Sequence, residues 1–154
     1  MKNDHTRWMQ EAIKEAKKAL LENEVPVGAV VIHDSKIIGK GYNQVEMLQD
    51  PTAHAEMIAI TAATNHLQQK WLRDCALYVT VEPCSMCAGA MVLARIKSVV
   101  YGVQDIKTGA HSSVVNLLSE PRLNHQVEVV PGILKDQCSA LMIDFFESLR
   151  HKKT

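Results

Sequence analysis

A chain of 154 residues is long enough to bury a core of its own, and 47% hydrophobic against 22% charged residues is the balance of a soluble globular protein. Lys+Arg and Asp+Glu number 17 each, so the formal charge is zero and no general attraction to a polyanion is advertised. There is no run of about 18 apolar residues and the N-terminal stretch is too polar for a secretory signal, so the expectation is a cytoplasmic protein with no membrane partner. In that setting Cys75, Cys84, Cys87 and Cys138 read as metal ligands or buried thiols before disulfides.

From Thr6 to about Leu21 the residues Met9, Ala12, Ile13, Ala16, Ala19 and Leu20 recur at helical spacing, with Lys and Glu on the other face, which predicts an amphipathic helix. Val27–His33 is apolar, Asp34-Ser35 turns, and Lys36–Tyr42 follows as the second strand of a hairpin. Gly28 within the first strand marks either a packing constraint or the close approach of a ligand. Asp50-Pro51-Thr52 breaks the chain before a mostly apolar helix from Ala53 to about Leu67. Ala76–Val81 is a strand stopped by Pro83, and Cys84 to about Arg95 is rich in helix formers. Lys97–Tyr101 is a strand, and Gly102 to about Ser113 is a polar loop long enough to carry function. A short strand at Val127–Val130 and a helix from Leu134 to about Arg150 close the chain. With one further helix allowed before the last strand, the order α-β-β-α-β-α-β-(α)-β-α implies a single domain over residues 1–154, a mixed sheet with helices on its faces.

Two segments carry chemistry, and both lie at loop-to-helix junctions, where ligands of open α/β sheets bind. Cys84 and Cys87, three residues apart at the start of a helix, present both sulfurs to one side, and a helix N-terminus favours the thiolate that binds metal. His54 opens another helix and offers a neutral imidazole nitrogen. Three N/S ligands are the complement of a catalytic zinc, which keeps a fourth position for water, whereas closed structural sites use four. Zinc lowers the pKa of that water from about 15.7 to roughly 7 and so makes hydroxide available at neutral pH. Glu56, two residues beyond His54, is placed to take the water's proton and return it to a ring nitrogen and a leaving amine. The pair His54-Ala55-Glu56 and Pro83-Cys84-Ser85-Met86-Cys87 matches the H-x-E…P-C-x-x-C signature of zinc nucleobase deaminases.

Other readings stand beside this one. A lone C-x-x-C between strand and helix is also the geometry of a thioredoxin-like redox site. A zinc ribbon needs a second C-x-x-C; Cys75 and Cys138 are isolated and fit as small core residues.

Beyond the metal motif, the chain resembles the bacterial tRNA-specific adenosine deaminases from about Arg7 to Lys153. The resemblance is carried by Glu24–Val30, Asp50–Glu56, Leu77–Met91, Asp105–Ala110, Asn124-His125 and Asp144-Phe145-Phe146. It implies a cytidine deaminase-like three-layer α/β/α sandwich around a central mixed five-stranded sheet, a homodimer, and one Zn2+ per subunit. It also implies hydrolytic deamination of the wobble adenosine, position 34, in a tRNA anticodon stem-loop to inosine. Carried over by position, His54, Cys84 and Cys87 hold the zinc and Glu56 shuttles protons. Asn43, Val27 and Ala55 contact the flipped nucleotide, and the Asp105–Lys107 loop and Asn124 line the anticodon-loop groove. Phe145 lies near neighbouring nucleotides, although an aromatic in an amphipathic helix is more often core, and Asp105 also suits a loop-capping role. The neutral charge requires a local basic patch, for which Lys107, Arg122, Arg150, Lys152 and Lys153 are candidates. His111 stands where the family more usually has a small residue, which puts an imidazole at the groove rim. A free guanine, adenine or cytosine deaminase with the same zinc site is the alternative, and a catalytically silent RNA-binding or partner-binding subunit is a third reading.

Overall fold

The computed structural model describes residues 2–152. The chain runs α1 (Lys2–Leu21), β1 (Gly28–His33), β2 (Lys36–Tyr42), α2 (Val45–Leu48), α3 (Ala55–Leu67), β3 (Ala76–Val81), α4 (Ser85–Leu93), β4 (Ser98–Val103), β5 (Glu128–Val130) and α5 (Lys135–Lys152). The sheet order is β2-β1-β3-β4-β5. β1 pairs antiparallel with β2 and β3, while β3–β4 and β4–β5 are parallel. The β1–β2 hairpin turns through Asp34 and Ser35, both at positive φ (49° and 57°), the handedness that matches the twist of the flanking strands.

Strand alternation divides the core in two. Ala29, Val31, Leu77, Val79, Val99 and Tyr101 point to one face, where they meet α3 and α4. Val30, Ile32, Tyr78 and Val100 point to the other, against Trp8, Met9, Ala12 and Ile13 of α1 and Cys138 of α5. The central strands are therefore apolar on both faces, as a sheet covered by helices requires. The result is the expected α/β/α sandwich with a mixed five-stranded sheet. Cys75 and Cys138 are buried core thiols.

The differences are local. α2 was not expected, and no helix occupies the region between β4 and β5 among the described residues; 104–127 is turn and loop. The helix expected from Cys84 begins at Ser85 with Cys84 as its N-cap, and it stops where Arg95 takes a positive φ of 59°.

Close helix–sheet approach sets where the chemistry sits. α3 presents Ala55, Ala59 and Ala63 at i, i+4 and i+8 to Gly39 and Gly41 of β2. A Cβ at Gly41 would lie 2.2 Å from the Ala55 carbonyl oxygen and 2.8 Å from the Ala59 nitrogen; at Gly39 it would lie 2.4 Å from the Ala59 carbonyl oxygen. Gly28 serves α1 in the same way: its Cβ would lie 2.1 Å from the Ala12 carbonyl oxygen. The glycine in β1 is thus a packing constraint, and no ligand is needed to explain it. Gly41→Ala must push back helix backbone rather than a yielding side chain, so it should cost about 1–3 kcal/mol by overpacking, read as a fall in the urea midpoint at constant slope. An unchanged midpoint would show that α3 is not seated this tightly.

Candidate metal centre and active site

His54 is the N-cap of α3 (φ −78°, ψ 151°) and Cys84 the N-cap of α4 (φ −74°, ψ 176°), and neither side chain caps its own helix. Both extended N-caps instead direct their side chains toward each other, and Cys87, in the first turn of α4, joins them. His54 Nδ1 lies 3.5 Å from both Cys84 Sγ and Cys87 Sγ, and the three donors all lie within 4.8 Å of one another. A tetrahedral ion with Zn–S bonds of about 2.3 Å and a Zn–N bond of about 2.0 Å sets its N and S ligands about 3.5 Å apart. The donor set and its spacing therefore fit zinc. Neither a redox disulfide pair nor a four-ligand ribbon accounts for the imidazole between the sulfurs.

The protonation states lean the same way. Hydrogen bonding from Cys87, then from His54, pulls the Cys84 thiol down to about 4 against the opposing effect of burial. Cys87 is pushed up, first by its bond to the Cys84 sulfur and then by burial. His54 is raised, chiefly by its bond to Cys84. Glu56 is 4% exposed, and burial lifts its carboxyl to about 7. A group poised there both accepts and donates protons at neutral pH.

His54, Glu56 and Cys84 lie in the wall of a cavity of about 750 Å³. Asn43, Val27, Asp105 and Lys107 line the same cavity. Asn43 is held by its backbone N–H to the Val27 carbonyl (3.1 Å), which ties the end of β2 to the start of β1. Asp105 has the loop-capping role as well: Oδ1 accepts from Lys107 N (3.1 Å) and Thr108 N (3.2 Å), and Oδ2 accepts from Thr108 Oγ1 (2.8 Å).

Three expected contacts lie elsewhere. Ala55 is fully buried in the core and is not part of the cavity lining, because its position on α3 turns it toward β2 rather than toward Glu56. Asn124 is exposed in the loop after β4, away from the lining. Phe145 is 8% exposed and packs in the interior, while Phe146, 44% exposed, lines the cavity. One helical residue is about 100° of rotation, enough to exchange core for cavity. The signal was present in the stripe Ser139, Met142, Ile143 and Phe146, all of which reach the cavity at helical spacing.

Glu46 also lines the cavity and was not anticipated, while Gln104 and Ile106 line it from the loop expected to carry function. His111 does not line it. Its Nδ1 is 3.0 Å from the Tyr101 hydroxyl, so the ring faces the interior. Of the basic candidates, Lys107 is at the cavity, Arg122 pairs with Glu120, and Arg150 is exposed late in α5. Lys153 and the side chain of Lys152 lie outside the described residues.

Two buried carboxylates brace the cavity walls. Glu24 accepts from Glu46 N (3.0 Å) and Met47 N (2.7 Å), doing for α2 what its own N-cap, Gln44, does not. Glu82, next to the metal turn, binds the loop after β4. Burial works against its charge, but hydrogen bonds from Ser113, His111, Ser112 and Asp105 hold it below the usual carboxylate range.

The family model of the MafB19-like deaminases matches residues 3–150. The tRNA-specific adenosine deaminase of Bacillus subtilis (strain 168) is 49% identical over 146 residues, which are 95% of this chain and 91% of that one. A solved structure from work on A-to-I editing by tRNA:A34 deaminases at the wobble position of transfer RNA superposes with a TM-score of 0.85 at 40% identity, over 88% of this chain and 99% of that chain. The guanine deaminase from Nitrosomonas europaea superposes with a TM-score of 0.79 at 23% identity, over 91% and 83% of the two chains, and shares the fold. With a deaminase motif whose donors converge at zinc spacing, and near-50% identity along almost its whole length, the chain belongs to the tRNA-specific adenosine deaminase family.

Proposed function

We propose that this protein hydrolytically deaminates the wobble adenosine, position 34, of a tRNA anticodon loop to inosine, as one deaminase domain over residues 1–154. The observation that carries the reading is the Glu56 carboxyl, buried beside the His54–Cys84–Cys87 donors at the wall of a cavity open to a nucleotide. We assign one zinc to those three residues. Zinc, when bound, supplies the acidification of water that hydrolysis at neutral pH needs, from about 15.7 to roughly 7.

Glu56 takes a proton from the attacking water and passes it to N1 of adenine as the C6–O bond forms. It then relays the remaining hydroxyl proton to the 6-amino group, so that the C6–N bond breaks with loss of ammonia and a carbonyl is left at C6. Each proton leaves oxygen and ends on nitrogen, and Glu56 is returned to its starting state. Asn43 hydrogen-bonds the extruded nucleotide, Val27 packs on the base, and Lys107 meets a phosphate at the mouth. A base to be modified must leave its stack, which a splayed hairpin loop permits at low cost. The cavity lies in the volume range that buries a drug-sized ligand, more room than a lone base needs.

No helix among the described residues is long and apolar enough to cross a membrane, and we place the protein in the cytoplasm, where tRNA is its partner. We take it to act as a homodimer. Leu93 at the end of α4 is 76% exposed and Val114 and Val115 are 58% and 46% exposed, apolar surface of the kind a second copy would cover. Sedimentation velocity should return twice the chain mass.

The deciding experiment offers an anticodon stem-loop with adenosine-34, the same loop with another base at that position, and free guanine, adenine and cytosine. Inosine should form only in the first, and affinity should fall as salt rises, since phosphate contacts release counterions. Ammonia from a free base with none from the stem-loop would instead make this a free-base deaminase.

A further inference from the structure

Between the last residue of β3 and the metal turn stands a carboxylate that the chemistry above does not use. Glu82 is 3% exposed. Its Oε1 accepts from Asp105 N (3.1 Å) and Ser113 Oγ (2.5 Å), and its Oε2 accepts from His111 N (2.9 Å) and Ser112 N (3.1 Å). A carboxylate has about four acceptor sites, so this one is filled, and all its donors come from one loop. The loop in turn is fastened to the metal turn: Ala110 N donates to the Pro83 carbonyl (2.9 Å), and Gly109 bridges to Cys84. Gly109 is where the chain wraps closest. A Cβ there would lie 2.4 Å from Glu82 Cδ and 2.5 Å from the Asp105 carbonyl oxygen.

We propose that Glu82 is a positioning residue for RNA binding: it clamps the 104–113 loop in the shape that receives the substrate, without taking part in the chemistry. Gln104, Asp105, Ile106, Lys107 and Thr108 form one side of the cavity, yet no strand or helix holds them. The carboxylate replaces secondary structure there, since three of its four bonds go to backbone N–H groups whatever side chains the loop carries. Charge-assisted bonds of this kind are among the stronger ones. A loop already ordered does not have to be ordered by the ligand, and that saving appears as affinity. Glu56 and Cys87 stand in the first turns of α3 and α4, and His54 and Cys84 are the N-caps of those helices, so the donors keep their own supports when the clamp is lost.

The substrate arm of this inference rests on the tRNA reading; the structural arm does not. The test uses the full-length zinc-loaded protein carrying Glu82→Gln, whose amide presents N–H groups to N–H groups. KM for the adenosine-34 stem-loop should rise roughly tenfold or more, with kcat within about threefold and zinc per chain unchanged, because binding order is lost and chemistry is not. Amide hydrogen exchange at Asp105, His111 and Ser112 should quicken by at least about tenfold while the β3 amides keep their protection. An unchanged KM, a fall in kcat alone, loss of zinc, or loop amides as protected as before would each overturn the proposal. Should Glu82→Gln fail to fold, Ser113→Ala removes one donor only; a smaller rise in KM supports the clamp and an unchanged KM overturns it. If the wild-type protein forms no inosine from the stem-loop, the deamination reading fails and the exchange measurement alone judges Glu82.

Discussion

Glu56→Ala should bind zinc as the wild type does and lose turnover by about 10²–10⁴-fold or more, the range of a removed general acid–base. The reasoning is spatial before it is electrostatic. Glu56 sits in the first turn of α3, one residue beyond the Ala55 that packs against Gly41, so its carboxylate is held beside His54 and within the cavity. Burial lifts the carboxyl to about 7. The base form is required for attack, so kcat/KM should fall on the acid side, and because a dication nearby favours the anion, that limb should lie below pH 7 in the zinc-loaded protein. The same burial has a stability sign. An acid whose folded pKa is raised favours folding most when protonated, and that advantage is lost as pH rises from about 4.5 through 7. Metal-free Glu56→Gln should therefore melt above metal-free wild type at pH 8. Substantial inosine formation by zinc-loaded Glu56→Ala, measured by nucleoside analysis of the stem-loop product, would remove Glu56 from the mechanism.

Stripping the metal, or replacing Cys87 by alanine, should abolish activity and lower the melting temperature. Free zinc at 1,000 times its Kd stabilises by about 4.1 kcal/mol, which in a domain of this size is roughly 8–16 °C. Cys87→Ala should melt at the same temperature with and without chelator, since the coupling between metal and fold is then gone. Binding requires a neutral imidazole and thiolates, and both His54 and Cys87 are raised in the metal-free protein. Zinc affinity should therefore increase with pH, with protons released on binding. A wild-type melting curve indifferent to chelation, together with activity that survives it, would exclude this centre.

The sequence by itself determined the chemistry and most of the architecture. His54, Glu56, Cys84 and Cys87 form a pattern because their functions demand residue types, and residue types are what a sequence records. The strands were equally legible, since each central one alternates between two apolar faces and reads as a continuous hydrophobic run. The rest was decided by contacts between residues far apart in the chain. Phe145 and Phe146 are equivalent as letters, and only the rotation at which α5 lies on β4 sends the second to the cavity and the first to the core. The weak pattern of Gly39 and Gly41 acquires meaning from the alanine stripe of α3 that rests on them. Glu82 could not be read as a clamp, because its donors lie 23 to 31 positions away and three of them are backbone amides that no side chain advertises. Local composition specifies periodicity and reactive groups; which loop a buried carboxylate holds, and which of two neighbours faces a substrate, is settled only when distant segments pack and every buried polar group must find its partner.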